Sequence, residues 1–516
     1  MFHTAPGESI LQISVAFIWV FIICRIVSDQ SWQPECIIPS VRHEASHAGD
    51  PYRLTFVATF TGIFALIQLL RRKPVGDVFL SVYLFAVFIM PGWCHWFLPH
   101  VPKMTFHETA ILPIAFFFFL KHRKDWKWSI TDLLVFGFVA LLTISEYLNA
   151  GYAEAQNLGF AYFAQGALPY ILAKGLIEPQ GLRVKFVKRI VVLLSCLILP
   201  FAYEFRFWFN PYRFMTDIFF PGSAWVTTVR YGFARAAGPY AHCILAGAVF
   251  LIGFRLQVWL EKSGHWEKYF RKFRPFGMTK ARILTVLMLC GLAMTLARGP
   301  QIGAVLATVI AAIGAGRNPA RRAMVVVAIT VTLGVPLAVQ SYQYAAVGRD
   351  KAKTASQESA AYRKELLDKY MDIAKQHAPL GWGRNGWPKV GGMPSIDNYY
   401  LLLTLMHGFP ASVLFITIQV SMMVRLLKNG FACAPLKPIG SSLSFTLGGV
   451  YLGLLFTFFT VYLGENVLPI FFLITGFAEG YLIVGGDRSL GHAAGDQARL
   501  HVVSAPTMRR FAVVMS

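Results

Sequence analysis

Apolar stretches alternate with short basic clusters along this chain, and that alternation constrains the fold more than any single motif. Arg71, Arg72 and Lys73 follow one apolar run; Lys121, Arg123, Lys124 and Lys127 follow another pair of runs. Then come Arg183, Lys185, Lys188 and Arg189, a dense run from Lys262 to Arg282, Arg317, Arg321 and Arg322, and finally Arg425, Lys428 and Lys437. The short loops between them, around 99–104, 149–157 and 464–467, hold almost no basic residues. This is the positive-inside pattern of a polytopic membrane protein, with the basic loops and both termini in the cytoplasm.

Composition agrees, with 56% hydrophobic residues, 15% aromatic residues and a mean hydropathy of +0.52. Stretches of about 17–25 apolar residues can cross a bilayer as helices. They are read at about 9–26, 54–70, 77–97, 105–120, 129–148, 158–176, 190–204, 238–260, 283–297, 299–316, 323–340, 399–424, 444–463 and 466–484. Several are short or share a boundary, so the expected architecture is an all-α transmembrane bundle of about 12–14 spans. The ten-residue alternation of a barrel is missing. The net charge of +22 is explained by topology and anionic lipid head groups, and nucleic acid is not an expected partner. Cys24, Cys94, Cys196, Cys243 and Cys290 fall in spans, and Cys36 and Cys433 in loops on opposite sides, so no disulfide framework or zinc site is expected. The first span lacks a small-residue cleavage site and is read as a retained helix.

The chain divides into a bundle over 1–340 with an outer loop at about 205–237, a long outer loop over 341–397, C-terminal spans over 398–484 and a cytoplasmic tail over 485–516. Long loops in a compact protein are usually functional, and they translocate regardless of charge, so the Lys and Arg of 341–397 do not oppose this topology. Within that loop Thr354 and Gln357 have capping-box spacing. Tyr362, Leu366, Tyr370 and Ile373 recur at helical spacing opposite a charged face. An amphipathic helix is expected over about 356–376, across the bundle mouth or on the outer membrane surface. A Gly-rich turn with Trp382 and Trp387 follows.

Charged groups inside or at the rim of a bundle tend to mark a site. Arg298 lies between two spans with almost no loop, at the expected outer boundary. It is either an anion ligand for a lipid phosphate or half of an ion pair, for instance with Glu465. Arg230 and Arg235 sit just before the span read at 238–260, also on the outer side, where they either wrap an anion or are solvated. Asp397 stands where the long loop enters a span. It is either the helix N-cap or a general base for a sugar hydroxyl. His407 is expected about two and a half turns deeper, against substrate or as a satisfied buried histidine. Glu108, Glu146 and Glu479 lie in or near spans and keep ion-coupled transport, such as a lipid-linked oligosaccharide flippase, open. No Walker, GxSxG or HExxH motif is present.

The run Arg363 … Ala378-Pro379-Leu380-Gly381-Trp382-Gly383 … Asp397-Asn398-Tyr399-Tyr400-Leu401 … Gly408-Phe409-Pro410 resembles the hallmark of the O-antigen ligase and polysaccharide polymerase family. Thr295 to Gly299 and Arg230 to Pro239 resemble its other two motifs, so the similarity covers about 225–425. The resemblance implies a GT-C-like bundle of a bacterial inner membrane with its active site on the periplasmic side. It implies a glycosyltransferase that moves a glycan from an undecaprenyl pyrophosphate carrier to a hydroxyl acceptor, without a metal or other cofactor. Arg298 and Asp397 take the catalytic positions, and Arg230, Arg235, Arg363, Asn398, His407, Tyr400, Gly381 and Gly383 the substrate-binding ones. Ligases of the family carry His where Asp397 stands here, which tilts the reading from ligase, with lipid A core as acceptor, to polymerase for exopolysaccharide, capsule or O-antigen. A flippase and a chain-length regulator are then further partners, beside the membrane lipids.

Overall fold

The computed structural model describes residues 51–487 apart from 99–100, 123–125, 218–226, 267–278, 317, 394, 434–441 and 465. The expected first span at 9–26, both chain ends, most of the expected tail and Glu465 lie outside the described residues. The rest is mostly helical. In chain order the helices are α1 (Pro51–Leu70), α2 (Val75–Ile89), α3 (Phe106–His122), α4 (Ile130–Ala150), α5 (152–176), α6 (Arg183–Phe207) and the short α7 (Pro211–Thr216). They continue with α8 (Cys243–Lys262), α9 (Lys280–Met294), α10 (Arg298–Ile313), α11 (Pro319–Ala346) and α12 (Ala355–Gln376). Last come α13 (Tyr399–Ala432), α14 (Leu443–Phe458) and α15 (Val467–Ile483). Among the described residues α4, α6, α8, α11 and α13 are long and apolar enough to cross a membrane, and each further apolar stretch read in that part of the sequence also forms a helix. The protein is an all-α polytopic membrane bundle.

Some boundaries differ from the sequence reading. The stretch 77–97 stops being helical at Ile89, and His95–Leu98 (β1) pairs antiparallel with Val101–Thr105 (β2). The bundle does not end at residue 340, because α11 runs on to Ala346. A π turn over Thr330–Gly334 interrupts that helix just before Pro336, which has no N–H for the ladder. The amphipathic helix is present as α12. Its capping box is half made: Thr354 accepts from the Gln357 N–H, but the Gln357 side chain accepts from the Lys353 N–H instead of that of Thr354.

Helix α8 is the centre of the core, with 89% of its apolar window buried. Without a hydrophobic drive between helices in lipid, close backbone approach sets the packing. Helices α10 and α14 show it: a Cβ on Gly303 would lie 2.7 Å from the Gly453 carbonyl oxygen, and the reverse also holds. Ion pairs lie at the basic-loop end of the bundle. Lys174 of α5 donates to Asp132 of α4 at 2.6 Å, and Arg425 of α13 donates to Glu479 of α15 at 2.6 Å. The other membrane-level carboxylates are also tied into the fold. Glu108 accepts from Thr105 and Gln165, and Glu146 accepts from the Arg384 N–H.

Candidate functional site

At the end of the bundle opposite Lys174 and Glu479, residues 204–217 and 227–242 form a small platform. Helix α6 stops at Phe207 because Trp208 adopts a left-handed conformation (φ 62°). Asn210 then caps α7, accepting from the Tyr212 and Arg213 N–H groups. Glu204, fully buried, accepts from the Ala237 N–H at 3.1 Å, the Gly238 N–H at 2.8 Å and the Asn210 side chain at 3.2 Å. One carboxylate therefore pins the segment that carries Arg235.

Val229–Arg230 (β3) and Phe233–Ala234 (β4) form a two-residue hairpin with Tyr231 (φ 55°) and Gly232 (φ 77°) at its turn. Two positive φ values are the requirement of a type I′ turn, whose twist matches that of the strands. Ala236 N–H donates to Met294 O, and Arg230 Nη1 donates to Leu296 O at 2.7 Å. The hairpin is thereby tied to the α9–α10 corner, where Leu296 also has positive φ (46°). Trp208, Tyr231 and Leu296 are three of the four described non-glycine residues with positive φ. Strain of this kind persists only where the surroundings over-determine it, and it clusters at functional sites. Trp208 holds the hairpin by donating from Nε1 to Gly232 O.

Four guanidinium groups lie near enough to this platform for their charges to act on one another. Arg298, the first residue of α10, donates from Nη2 to the Tyr231 hydroxyl at 2.9 Å. That bond pulls the exposed Tyr231 phenol below its usual pKa. Burial lowers Arg230, and the like charges of Arg235 and Arg298 lower it further. Arg363, reaching in from α12, is lowered by burial, partly restored by Asp397 and lowered again by Arg235 and Arg298. Arg235 keeps a buried Nε without a hydrogen-bond partner. Like charges gathered here repel one another, so this arginine seat has the chemistry to hold an anion, and planar guanidinium forks suit phosphate oxygens.

Asp397 is the acid beside these arginines. It is not the N-cap of α13. Asn398 takes that work, accepting from the Tyr400 and Leu401 N–H groups at 3.1 and 3.2 Å. Asp397 instead accepts from the Ser395 hydroxyl at 3.0 Å, and its charge acts on Arg363. The sequence had left capping open for Asp397, and the structure assigns it to the neighbour.

The other residues named from the sequence lie elsewhere. Helix α13 breaks at Gly408 (φ 83°, ψ 172°), and the Gly-rich turn docks onto the break. The N–H groups of Trp382 and Gly383 donate to Leu405 O and Met406 O, and the Phe409 N–H donates to Ala378 O. A Cβ on Gly381 would lie 2.5 Å from the His407 nitrogen, so Gly381 and Gly383 serve this clasp. His407 ends the first, regular part of α13, just before the break at Gly408. It is fully buried under the turn, 3.1 Å from the Ser145 hydroxyl, which itself donates to Leu380 O. Tyr400 is buried, donating to Leu455 O at 3.0 Å. Asn398, Tyr400, Gly381 and Gly383 thus have structural partners, while His407 meets Ser145 through Nδ1 and keeps a buried Nε2 without a hydrogen-bond partner.

Sequence reading missed Glu204 and Tyr231. Glu204 ends an apolar stretch and reads as the start of a loop. The Tyr231-Gly232 pair was legible as a hairpin turn, but its flanks are too short to show strand alternation.

Residues 283–416 match a family model described as O-antigen ligase. That interval takes in Arg298, Arg363, Asp397 and the clasp, and stops short of Arg230 and Arg235. No curated protein matches the chain.

Proposed function

We propose that this protein, whose residues 283–416 match the O-antigen ligase family of membrane glycosyl-transferring enzymes acting on lipid-linked glycans, polymerises undecaprenyl-pyrophosphate-linked repeat units on the periplasmic side of a bacterial inner membrane. The observation that carries the reading is the meeting of Arg230, Arg235, Arg298 and Arg363 beside Asp397 at one end of the bundle.

Under this reading the arginines hold the diphosphate of the donor. Asp397 accepts the proton of the attacking sugar hydroxyl while that oxygen bonds to the anomeric carbon from the face opposite the diphosphate. The bond from anomeric carbon to diphosphate oxygen breaks, and the electron pair leaves on the lipid diphosphate. Guanidinium groups aimed at that oxygen stabilise the growing charge without reorganising, and they take the place that a divalent cation holds in metal-dependent transferases. Helix α12 covers the seat and supplies Arg363. The clasp at Gly408 holds the far end of the loop and so sets where Asp397 stands.

Asp397 in place of the family's usual ligase histidine favours polymerase over ligase, with exopolysaccharide, capsule or O-antigen as product. A flippase that delivers the repeat unit and a chain-length regulator are the protein partners this implies. Analysis of glycans from a deletion strain tests the choice. Loss of long chains with single repeats retained supports the polymerase; long chains accumulating on the carrier lipid mean ligase.

A further inference from the structure

Helix α11 stands apart from the bundle. Beyond Pro319 none of its residues is buried, although it is the most apolar of the long helices among the described residues. Met324, Val327, Val331 and Leu333 are all more than half exposed. The helix touches α10 at its first turns and α12 at its last. Between α10 and the start of α11 lies a cleft of about 630 Å³. Val309 and Ile313 from α10 and Val325 and Val326 from α11 give it apolar walls. Asn318, Arg321 and Arg322 complete the lining, which has no carboxylate among the described residues.

This is not the arginine seat. Helix α10 begins at Arg298 and ends at Ile313, so its 16 residues separate the two by about 24 Å at 1.5 Å per residue. The cleft lies at the end of the bundle that carries the basic loops. Arg322 leans across it and donates from Nη1 to Ala312 O at 2.9 Å, which directs its guanidinium over the end of α10. Two guanidinium groups and an amide above apolar walls match one kind of occupant: a phosphate diester at the membrane surface with acyl chains below it. Basic pockets between spans on this face bind anionic head groups, and guanidinium suits the phosphate.

We propose that this cleft binds one anionic glycerophospholipid, with its phosphate at Asn318, Arg321 and Arg322 and its chains between α10 and α11. The lipid supplies the packing that the protein does not give this end of α11.

The test uses the full-length protein purified from mixed phosphatidylglycerol and phosphatidylcholine, with bound lipid counted by native mass spectrometry. The wild type is expected to retain one phosphatidylglycerol per chain in preference to phosphatidylcholine. The double variant Arg321→Gln/Arg322→Gln should lose that preference. Ala312→Trp fills the cleft, leaves both arginines in place and should also lose the bound lipid, which keeps the test open if the double variant does not fold. Arg298→Ala should retain the lipid. Equal retention of the two lipids by the wild type overturns the proposal. So does phosphatidylglycerol persisting in Ala312→Trp, or vanishing in Arg298→Ala, which would place it at the arginine seat. None of these readouts depends on glycosyl transfer, so the proposal and the polymerase reading can fail separately.

Discussion

Asp397 and Asn398 are adjacent, and either side chain can cap a helix. The structure gives the cap to Asn398, and that division makes Asp397→Asn informative. The amide keeps the shape and the bond from Ser395 but cannot accept a proton. Turnover, read as product chain length from a lipid-linked repeat, should therefore collapse while donor binding persists; a near-normal enzyme would remove Asp397 from the chemistry. Asn398 answers oppositely. Asn398→Asp retains the cap, whereas Asn398→Ala should cost about 1 kcal/mol of stability, seen as a lower melting temperature. Arg298→Ala should lower turnover by about 10²–10³-fold, the scale for removing one donor from a developing oxyanion, with insertion and expression unchanged. Arg298→Lys should recover little, since an ammonium cannot make the paired contact. Full activity in Arg298→Ala would reduce Arg298 to a support for Tyr231.

Among elements, the clasp between the Gly-rich turn and the break in α13 is the joint that places the long outer loop. Gly381 has φ +66° and no room for a Cβ, whereas nothing lies within 4 Å of the position a Cβ would take on Gly391, in the same loop. Gly381→Ala should therefore loosen the loop at a cost of about 1–3 kcal/mol, visible as faster proteolysis within 341–397 and lower activity. Gly391→Ala should behave as wild type. Equal proteolysis of the two variants would mean that the clasp does not hold the loop. The hairpin at 229–234 is the second joint. It meets the α9–α10 corner through Arg230 and Tyr231, so the arginines of two loops reach one place only when both joints are made.

Across the whole molecule, the helix from Arg298 to Ile313 separates the arginine seat from the cleft at its other end, and the proposed topology puts them on opposite membrane faces. A reporter fused near Lys369 should be active only when it requires export; activity restricted to the cytoplasm would reverse the topology and with it the assignment of donor to the arginine seat. The carboxylates Glu108, Glu146 and Glu479, which kept a transporter open, are each engaged by neighbours within the bundle. An ion pathway would need them to exchange those partners.

The helices were legible because lipid leaves a backbone few options: an apolar stretch of sufficient length must satisfy its own N–H and C=O groups. The amphipathic α12 was legible for a related reason, since its period of apolar residues reports one buried face. Arg298 stood out because an isolated charge at a span boundary is costly, and Asp397 because it precedes a span. What the sequence could not decide was which residues meet. Arg230, Arg298 and Arg363 are separated by whole helices, and the turns at Trp208, Tyr231 and Leu296, with the clasp that places the outer loop, bring them together. Nor could it separate Asp397 from Asn398, because a cap is chosen by backbone geometry and not by residue type alone. His407 and the glycines read as site residues from their motif. Tertiary packing made them a clasp, because a backbone break in α13 left carbonyl groups that the loop's N–H groups satisfy.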